Sequence, residues 1–291
     1  MQNREIAPSR QKKNKFFLFC ARLFVTLPTI MKTRKLIVAI AAAAICAACG
    51  SKSGDNSLKF KTVKVEKTVS IVKEEGAPKC SVNLQFEAAV GEPAERAKAI
   101  NGAIADRLLN AECADLQQAA DSFAGKYTSD YLENIAPLYR EDRGDETKRP
   151  WYEHHYYITS ETSEGREGIT VYTATVDYYE SGVHGINQRF VMNFDNQTGK
   201  LLTLDDIFVT GYMQPLNDLL LKALMEKTEA KDLNSLHDMG YLYSMDIFAP
   251  ENFKLDKDHV TFIYNAYEIA PYSMGIIELV IDNDELEALW K

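Results

Sequence analysis

The chain has 291 residues, 46% hydrophobic and 26% charged, values ordinary for a soluble globular protein with one or two domains and a sizeable core. Its charge is unevenly placed: residues 1–49 hold nine of the 33 Lys and Arg but one of the 42 Asp and Glu, which leaves 24 basic against 41 acidic residues in the remainder. Such an acidic body is repelled as a whole by phosphate backbones and anionic lipid, which excludes nucleic acid as a partner, and it favours cationic proteins or metal ions.

Residues 1–30, whose apolar run is interrupted by Arg22 and Pro28, fit no targeting signal, so Met31 reads as the true start. Residues 31–48 have the form of a signal peptide, with basic Met31–Lys35 followed by thirteen apolar residues, Leu36–Ala48, too few to span a bilayer as a helix. The end of this segment, Ala47-Ala48-Cys49-Gly50, resembles a bacterial lipobox, although Cys46 stands where Leu is usual. That resemblance implies that Cys49 is lipidated and becomes the first mature residue, with the domain outside the cytoplasm in the cell envelope. Residues 49–57, rich in Ser, Gly and Asn, form a flexible tether. Of the cysteines beyond the anchor, Cys80 and Cys113 remain. In an oxidising compartment they are expected to form a disulfide contributing about 3 to 4 kcal/mol in the chain-entropy model, two separate buried thiols being the alternative.

Residues 58–145 read as an N-terminal strand and helix region. Alternating apolar residues predict strands over Phe60–Val72 and Cys80–Val90. A helix from Pro93 follows, with Ala97, Ile100, Ile104, Leu108 and Ala111 as its stripe, and a second from about Asp115 to Tyr139, with a break expected near Gly125. The charged run Glu141–Pro150 leads into residues 146–291, a hairpin-rich α+β part. Strands are predicted over Trp151–Thr162, from Ile169 to Tyr179 and from Ile186 to Phe194, the last two joined by Ser181-Gly-Val-His-Gly185 with His184 at the tip. The turn Asp195–Lys200 leads to a short helix through Ile207 and Phe208, for which Asp205 or Asp206 can provide the cap. Helical spacing recurs over Leu216–Met225 and, more loosely, over Leu233–Met245. Two last strands are predicted over Val260–Tyr264 and Ile276–Ile281, then a short C-terminal helix capped by Asp282 or Asn283. Hairpins require antiparallel pairing, so the predicted fold is α+β, an antiparallel sheet with helices packed against it.

The ordered set Tyr178-Tyr-x-Ser-Gly-x-His-Gly185, a strand, Asp195-x-x-Thr-Gly-Lys200 and Leu204-Asp-Asp-Ile-Phe208 resembles a domain family of unknown function, and the resemblance extends through Tyr264–Gly275. That family occurs in the ectodomain of a lysozyme-sensing anti-sigma factor, beside the catalytic domain of certain peptidoglycan deacetylases, and in stand-alone bacterial lipoproteins. The resemblance therefore implies the cell envelope and a non-catalytic binding role, with lysozyme or another cationic protein as partner. A module for peptidoglycan or another polysaccharide is the alternative reading, and an envelope hydrolase with an unrecognised carboxylate pair is a third. The zinc-binding segment and spanning helix of the anti-sigma factor are missing from this sequence, so direct transcriptional signalling is not implied.

The residues themselves offer little chemistry. His154 and His155 are adjacent on a strand and point to opposite faces, and no metal-binding, phosphate-binding or nucleophile-elbow motif is present, so no metal and no cofactor is expected. Ser181 and His184 share one loop, where turn residues account for them better than a nucleophile and its base. The acid pairs at Asp205-Asp206, Asp256-x-Asp258 and Asp282-x-Asp284-Glu285 fall where helix caps and turns are expected. What remains is aromatic: Tyr179 with His184, and Tyr267 with Pro271 and Tyr272, lie beside Gly-containing loops where tyrosine presents both a ring and a hydroxyl to a partner. These five residues are the candidate binding site, carried by loops Ser181–Gly185 and Glu268–Gly275.

Overall fold

The structure is a computed structural model that describes residues 58–291, all of which lie within one compact unit. The readings of a late start, a signal peptide, a lipidated Cys49 and a tether concern residues outside the described ones.

Strands β1 (Lys59–Ser70) and β2 (Lys79–Val90) form an antiparallel hairpin, with Lys59 opposite Val90 and Ser70 opposite Lys79. Helices α1 (Ala94–Leu109), α2 (Leu116–Asn134) and α3 (Ala136–Asp142) follow, then β3 (His154–Glu164), β4 (Ile169–Tyr179) and β5 (Ile186–Asp195). The five strands make one sheet in sequence order, β1-β2-β3-β4-β5, in which every neighbouring pair is antiparallel except β2 and β3. That parallel join follows from the connection: a helical crossover returns the chain to the end of the sheet from which β2 began, as parallel neighbours require. The α+β sheet with helices against it is thus present, and its sheet spans both sides of residue 146.

One face of this sheet is covered by α1 and α2. Val82, Leu84 and Phe86 from β2, Ile158 from β3 and Phe194 from β5 meet Ile100 and Ile104 of α1 in a buried core. Asp115 caps α2, its carboxylate accepting from the Gln118 amide at 3.1 Å. The break expected near Gly125 falls instead at Ile135, because Pro137 in the first turn of α3 has no N–H to continue the helix, whereas Gly125 is tolerated inside α2. For the same reason Trp151 lies outside β3: Arg149–Tyr152, with Pro150 near its start, is a 3-10 turn.

The second part contains α4 (Leu204–Ile207), α5 (Met213–Thr228), α6 (Leu233–Asp238) and an antiparallel sheet of β6 (Phe253–Leu255), β7 (His259–Tyr264) and β8 (Ile277–Asp282). Leu216, Leu220 and Leu224 of α5 bury against Phe262, Leu279 and Ile281. Three local expectations are corrected. The cap of α4 is Thr203, with Asp206 completing a capping box by accepting from the Thr203 amide at 3.0 Å. The helix read over Leu233–Met245 stops at Asp238, before Gly240 at φ 93°. The C-terminal helix is a 3-10 turn, Glu287–Leu289, with no side-chain cap, because the Asn283 side chain donates to the Lys257 carbonyl instead. Strand β6, three residues long, was too short to show an alternation.

The two parts are joined along β5, an edge of the large sheet. Asn252 and Asn265, both buried, satisfy that edge: Asn252 Oδ1 accepts from Val191 N and its Nδ2 donates to Arg189 O, both at 2.8 Å, while Asn265 Oδ1 accepts from Arg189 N at 2.7 Å. Asn193 of β5 reaches the other way, donating to Phe253 O at 2.8 Å and accepting from Leu255 N at 2.9 Å. Buried amide side chains thus do along β5 what a sixth strand would do. Beside them Gly165 approaches so closely that a Cβ would lie 2.5 Å from Leu255 O, which leaves room for no other residue.

Candidate functional site

The hairpin tip between β4 and β5 is folded sharply, with Ser181 at φ 74° and Gly182 at φ 101°. Ser181 Oγ donates to the Trp151 carbonyl at 2.5 Å and lies 2.8 Å from His154 Nε2, so the tip is fastened to the start of β3. Since that hydroxyl proton points at Trp151 O, the Ser181 oxygen accepts from His154, and neither His154 nor His184 is placed as its base. Position 184 is left projecting. His184 Nδ1 donates to Gly185 O at 2.9 Å, which makes Nε2 the acceptor.

The β7–β8 connection supplies the other half. Glu268 accepts from the Asn265 amide at 2.8 Å at the neck of this loop, Tyr267 adopts φ 74°, and Pro271 leads into the 3-10 turn Tyr272–Met274. Partial burial raises the Glu268 carboxyl above the usual range, although the Asn265 amide and Arg107 oppose the shift. The two loops meet: the His184 and Tyr272 rings stack with centroids 3.7 Å apart and planes 13° from parallel, and Tyr267 Oη lies 3.2 Å from His184 Nε2. Tyr267 and Tyr272 themselves are 5.7 Å apart, centroid to centroid.

A third loop, missed from the sequence, completes the surface. After α6 the chain turns through Gly240, which sits against the Pro271 ring, and Leu242 N donates to Ile269 O at 2.8 Å. Tyr241 Oη approaches Met274 Sδ at 3.9 Å, and Tyr243 in this third loop is 81% exposed, as Tyr267 in the second is 60% exposed. Among the described residues six non-glycine positions have positive φ; two, Asn110 and Glu229, end helices, and the other four, Ser181, Leu242, Ser244 and Tyr267, all belong to these three loops. Backbone strain of this kind persists only where surrounding contacts hold it, and it concentrates at binding sites. The only sequence signal for the third loop was the Met239-Gly-Tyr-Leu-Tyr-Ser-Met245 run, which helical spacing had claimed.

Of the five candidate residues, the structure brings His184, Tyr267, Pro271 and Tyr272 to one surface. Tyr179 is placed at the foot of the hairpin, where its hydroxyl donates to Gly182 O at 2.9 Å and its ring packs against His155 with centroids 6.3 Å apart. Cys80 and Cys113 are both free. The expected disulfide is precluded by α2: Cys113 precedes its first turn, while Cys80 pairs with His154, whose ring packs on Tyr131 near the other end. At 1.5 Å per residue the helix separates the two by about 20 Å, whereas a disulfide needs Cα atoms within about 7 Å.

In each acid group considered for chemistry one carboxylate is engaged in local structure. Asp206 belongs to the capping box and pairs with Lys200 at 2.5 Å, Asp256 pairs with Lys254 at 2.9 Å, and Glu285 pairs with Lys222 at 2.6 Å. Among the described residues no group of three or more His, Cys, Asp or Glu is placed to hold a metal ion.

Residues 205–284 match the model of DUF3298, a protein family of unknown function, so the chain carries a DUF3298 domain in its C-terminal part. The match begins after the hairpin and the Asp195–Lys200 turn. A crystal structure of a DUF3298 family member from Bacteroides fragilis is similar at 29% identity and a TM-score of 0.73, over 80% of this chain and 94% of that one. A DUF3298 family protein from Pseudomonas aeruginosa shares the fold at 18% identity and a TM-score of 0.53, over 81% of this chain and 97% of that one. No curated protein shows significant similarity.

Proposed function

We propose that this DUF3298-containing chain is a non-catalytic binding module of the cell envelope, and that the three converging loops form its docking surface for a cationic protein, lysozyme being the first candidate. The observation that carries the reading is the combination of shape and charge at one place. The His184 and Tyr272 stack holds two rings rigid beside the exposed Tyr267, and the third loop adds the exposed Tyr243. Residues 180–185, 238–246 and 265–275, which build the surface, include Glu180, Asp238, Asp246 and Glu268 and no Lys or Arg. Preordered aromatic anchors with an acidic rim suit a basic partner, because little ordering entropy is lost on contact and the rim steers the encounter.

The test is titration calorimetry of the domain with lysozyme, using Tyr272→Ala and His184→Ala, with thermal melts to show that each variant stays folded. Truncating a central aromatic anchor is expected to cost about 2 kcal/mol or more, roughly thirtyfold in Kd. Binding unchanged in both variants would place the docking surface elsewhere, and binding to cell-wall fragments but not to lysozyme would favour the polysaccharide reading.

A further inference from the structure

We infer that the β1–β2 hairpin is a second interaction surface, one that rests on anionic lipid headgroups. Lys59, Lys61, Lys64 and Lys67 of β1, with Lys73 and Lys79 in and after the turn, are all exposed. Strand β1 is the outer edge of the large sheet. The segment 58–79 holds six lysines against Glu66, Glu74 and Glu75, whereas residues 80–291 hold 17 Lys and Arg against 37 Asp and Glu.

The density of unpaired cations separates this edge from the rest of the molecule, where Lys227 and Lys231 at and after the end of α5 and Lys257 between β6 and β7 also lack a carboxylate partner but lie apart. Lys98, Lys126, Lys148, Lys200, Lys222 and Lys254 each pair with a carboxylate, whereas none of the six hairpin lysines does among the described residues. Of the three glutamates nearby, Glu74 pairs with Arg143. Lysines protect an exposed strand edge from pairing with another chain, which accounts for some of those on β1. It does not account for Lys73 and Lys79 beyond the strand, nor for six cations without partners in a chain so rich in acid. Their counter-charge comes from outside the molecule.

The position of the edge selects the source. The geometry rests on the reading of Cys49 as the lipidated residue: ten residues separate it from Lys59, so even a fully extended connection keeps the Lys59 end of β1 within about 35 Å of the bilayer. Basic residues next to an anchor are drawn to anionic headgroups, while the acidic remainder is repelled. The same charge asymmetry that keeps the body off the membrane turns the lysine edge towards it.

Vesicle co-sedimentation of the unlipidated compact unit, residues 58–291, tests this without the anchor, so that failure of the lipidation reading cannot be mistaken for failure of this one. Binding is expected to vesicles containing phosphatidylglycerol and not to pure phosphatidylcholine, with release at high salt. Each lysine removed should lower the partition coefficient roughly fivefold, so the variant with Lys59, Lys61, Lys64 and Lys67 all changed to Gln should fall by more than about a hundredfold. Lys227→Gln with Lys231→Gln, exposed on and after α5, is the control matched to the pair Lys59→Gln with Lys61→Gln, and should lower binding far less than that pair does. The inference is overturned if phosphatidylglycerol vesicles are not bound at low salt, if the fourfold variant binds as wild type does, or if phosphatidylcholine is bound equally. The variants leave the three loops untouched, so the lysozyme titration reads the other surface independently.

Discussion

His154 is 7% exposed, with its ring against Tyr131 and its Nε2 on Ser181, and burial lowers its pKa from 6.5 to about 4. The folded chain therefore keeps this imidazole neutral while the unfolded chain protonates below about pH 6.5. Its contribution to stability is complete above that pH and is lost as pH falls from about 6.5 to about 4, by up to roughly 3 kcal/mol. We expect His154→Asn to show a flatter dependence of Tm on pH across that window; parallel profiles for variant and wild type would mean that the histidine does not titrate with unfolding. Cys80 makes a complementary prediction, since burial raises its thiol to about 12 while Cys113 is only half-buried. Iodoacetamide should modify Cys113 in the folded protein and Cys80 only after denaturation, and a non-reduced sample should titrate two thiols per described domain.

At the scale of elements, the short helix α4 depends on the reciprocal pairing of Thr203 and Asp206. The Asp206 carboxyl is held below the usual carboxylate range, first by Lys200 and then by the Thr203 amide. A depressed carboxyl stabilises the fold above its unfolded pKa and loses that effect as pH drops through the folded value. Asp206→Ala should accordingly cost about 1 kcal/mol in denaturant melts near neutral pH, with the difference from wild type shrinking towards pH 3. A cost that persists undiminished in acid would assign it to packing. Asn252→Ala should cost more, about 2 to 3 kcal/mol, because it strands the Val191 amide and removes a partner of the Arg189 carbonyl inside the protein.

These elements also show what could be read beforehand. Alternation of apolar residues in β1, β2, β4 and β5, and the Ile100, Ile104, Leu108 stripe of α1, are periodic signals produced by burial of one face, and they placed those elements within a residue or two. The glycines and proline of two loops marked turns, and the structure brings those two turns into contact. The third loop was hidden because Leu233, Leu236 and Met239 continue a helical spacing that Gly240 cuts short only through its φ, a property of the backbone. Asn252 and Asn265 were equally illegible, since an asparagine that replaces a strand partner looks in sequence like any loop asparagine. The Ser181 and His154 contact joins residues 27 apart and needed the sheet register to appear.

For the molecule as a whole, the parallel join between β2 and β3 bears on the order in which the chain assembles. Strands β3, β4 and β5 follow one another through short turns, and β1 and β2 do the same, so each group closes with contacts that are near in sequence. The join alone connects them, pairing Cys80 with His154 across 74 residues, and its loop-closure entropy is met only once α1 and α2 have docked. The rate-limiting barrier should precede full closure of this seam. Ile158 pairs with Leu84 across the join and with Val176 inside the β3–β4–β5 meander, so Ile158→Val would act on both the folding and the unfolding rate, whereas Val176→Ala, inside the meander alone, would mainly slow folding. A chevron analysis in which Val176→Ala acts mainly on the unfolding arm would reverse that order. On this route the open edges of β2 and β3 stay unpaired until late, so aggregation during refolding should be sensitive to variants at the seam more than to those in either hairpin.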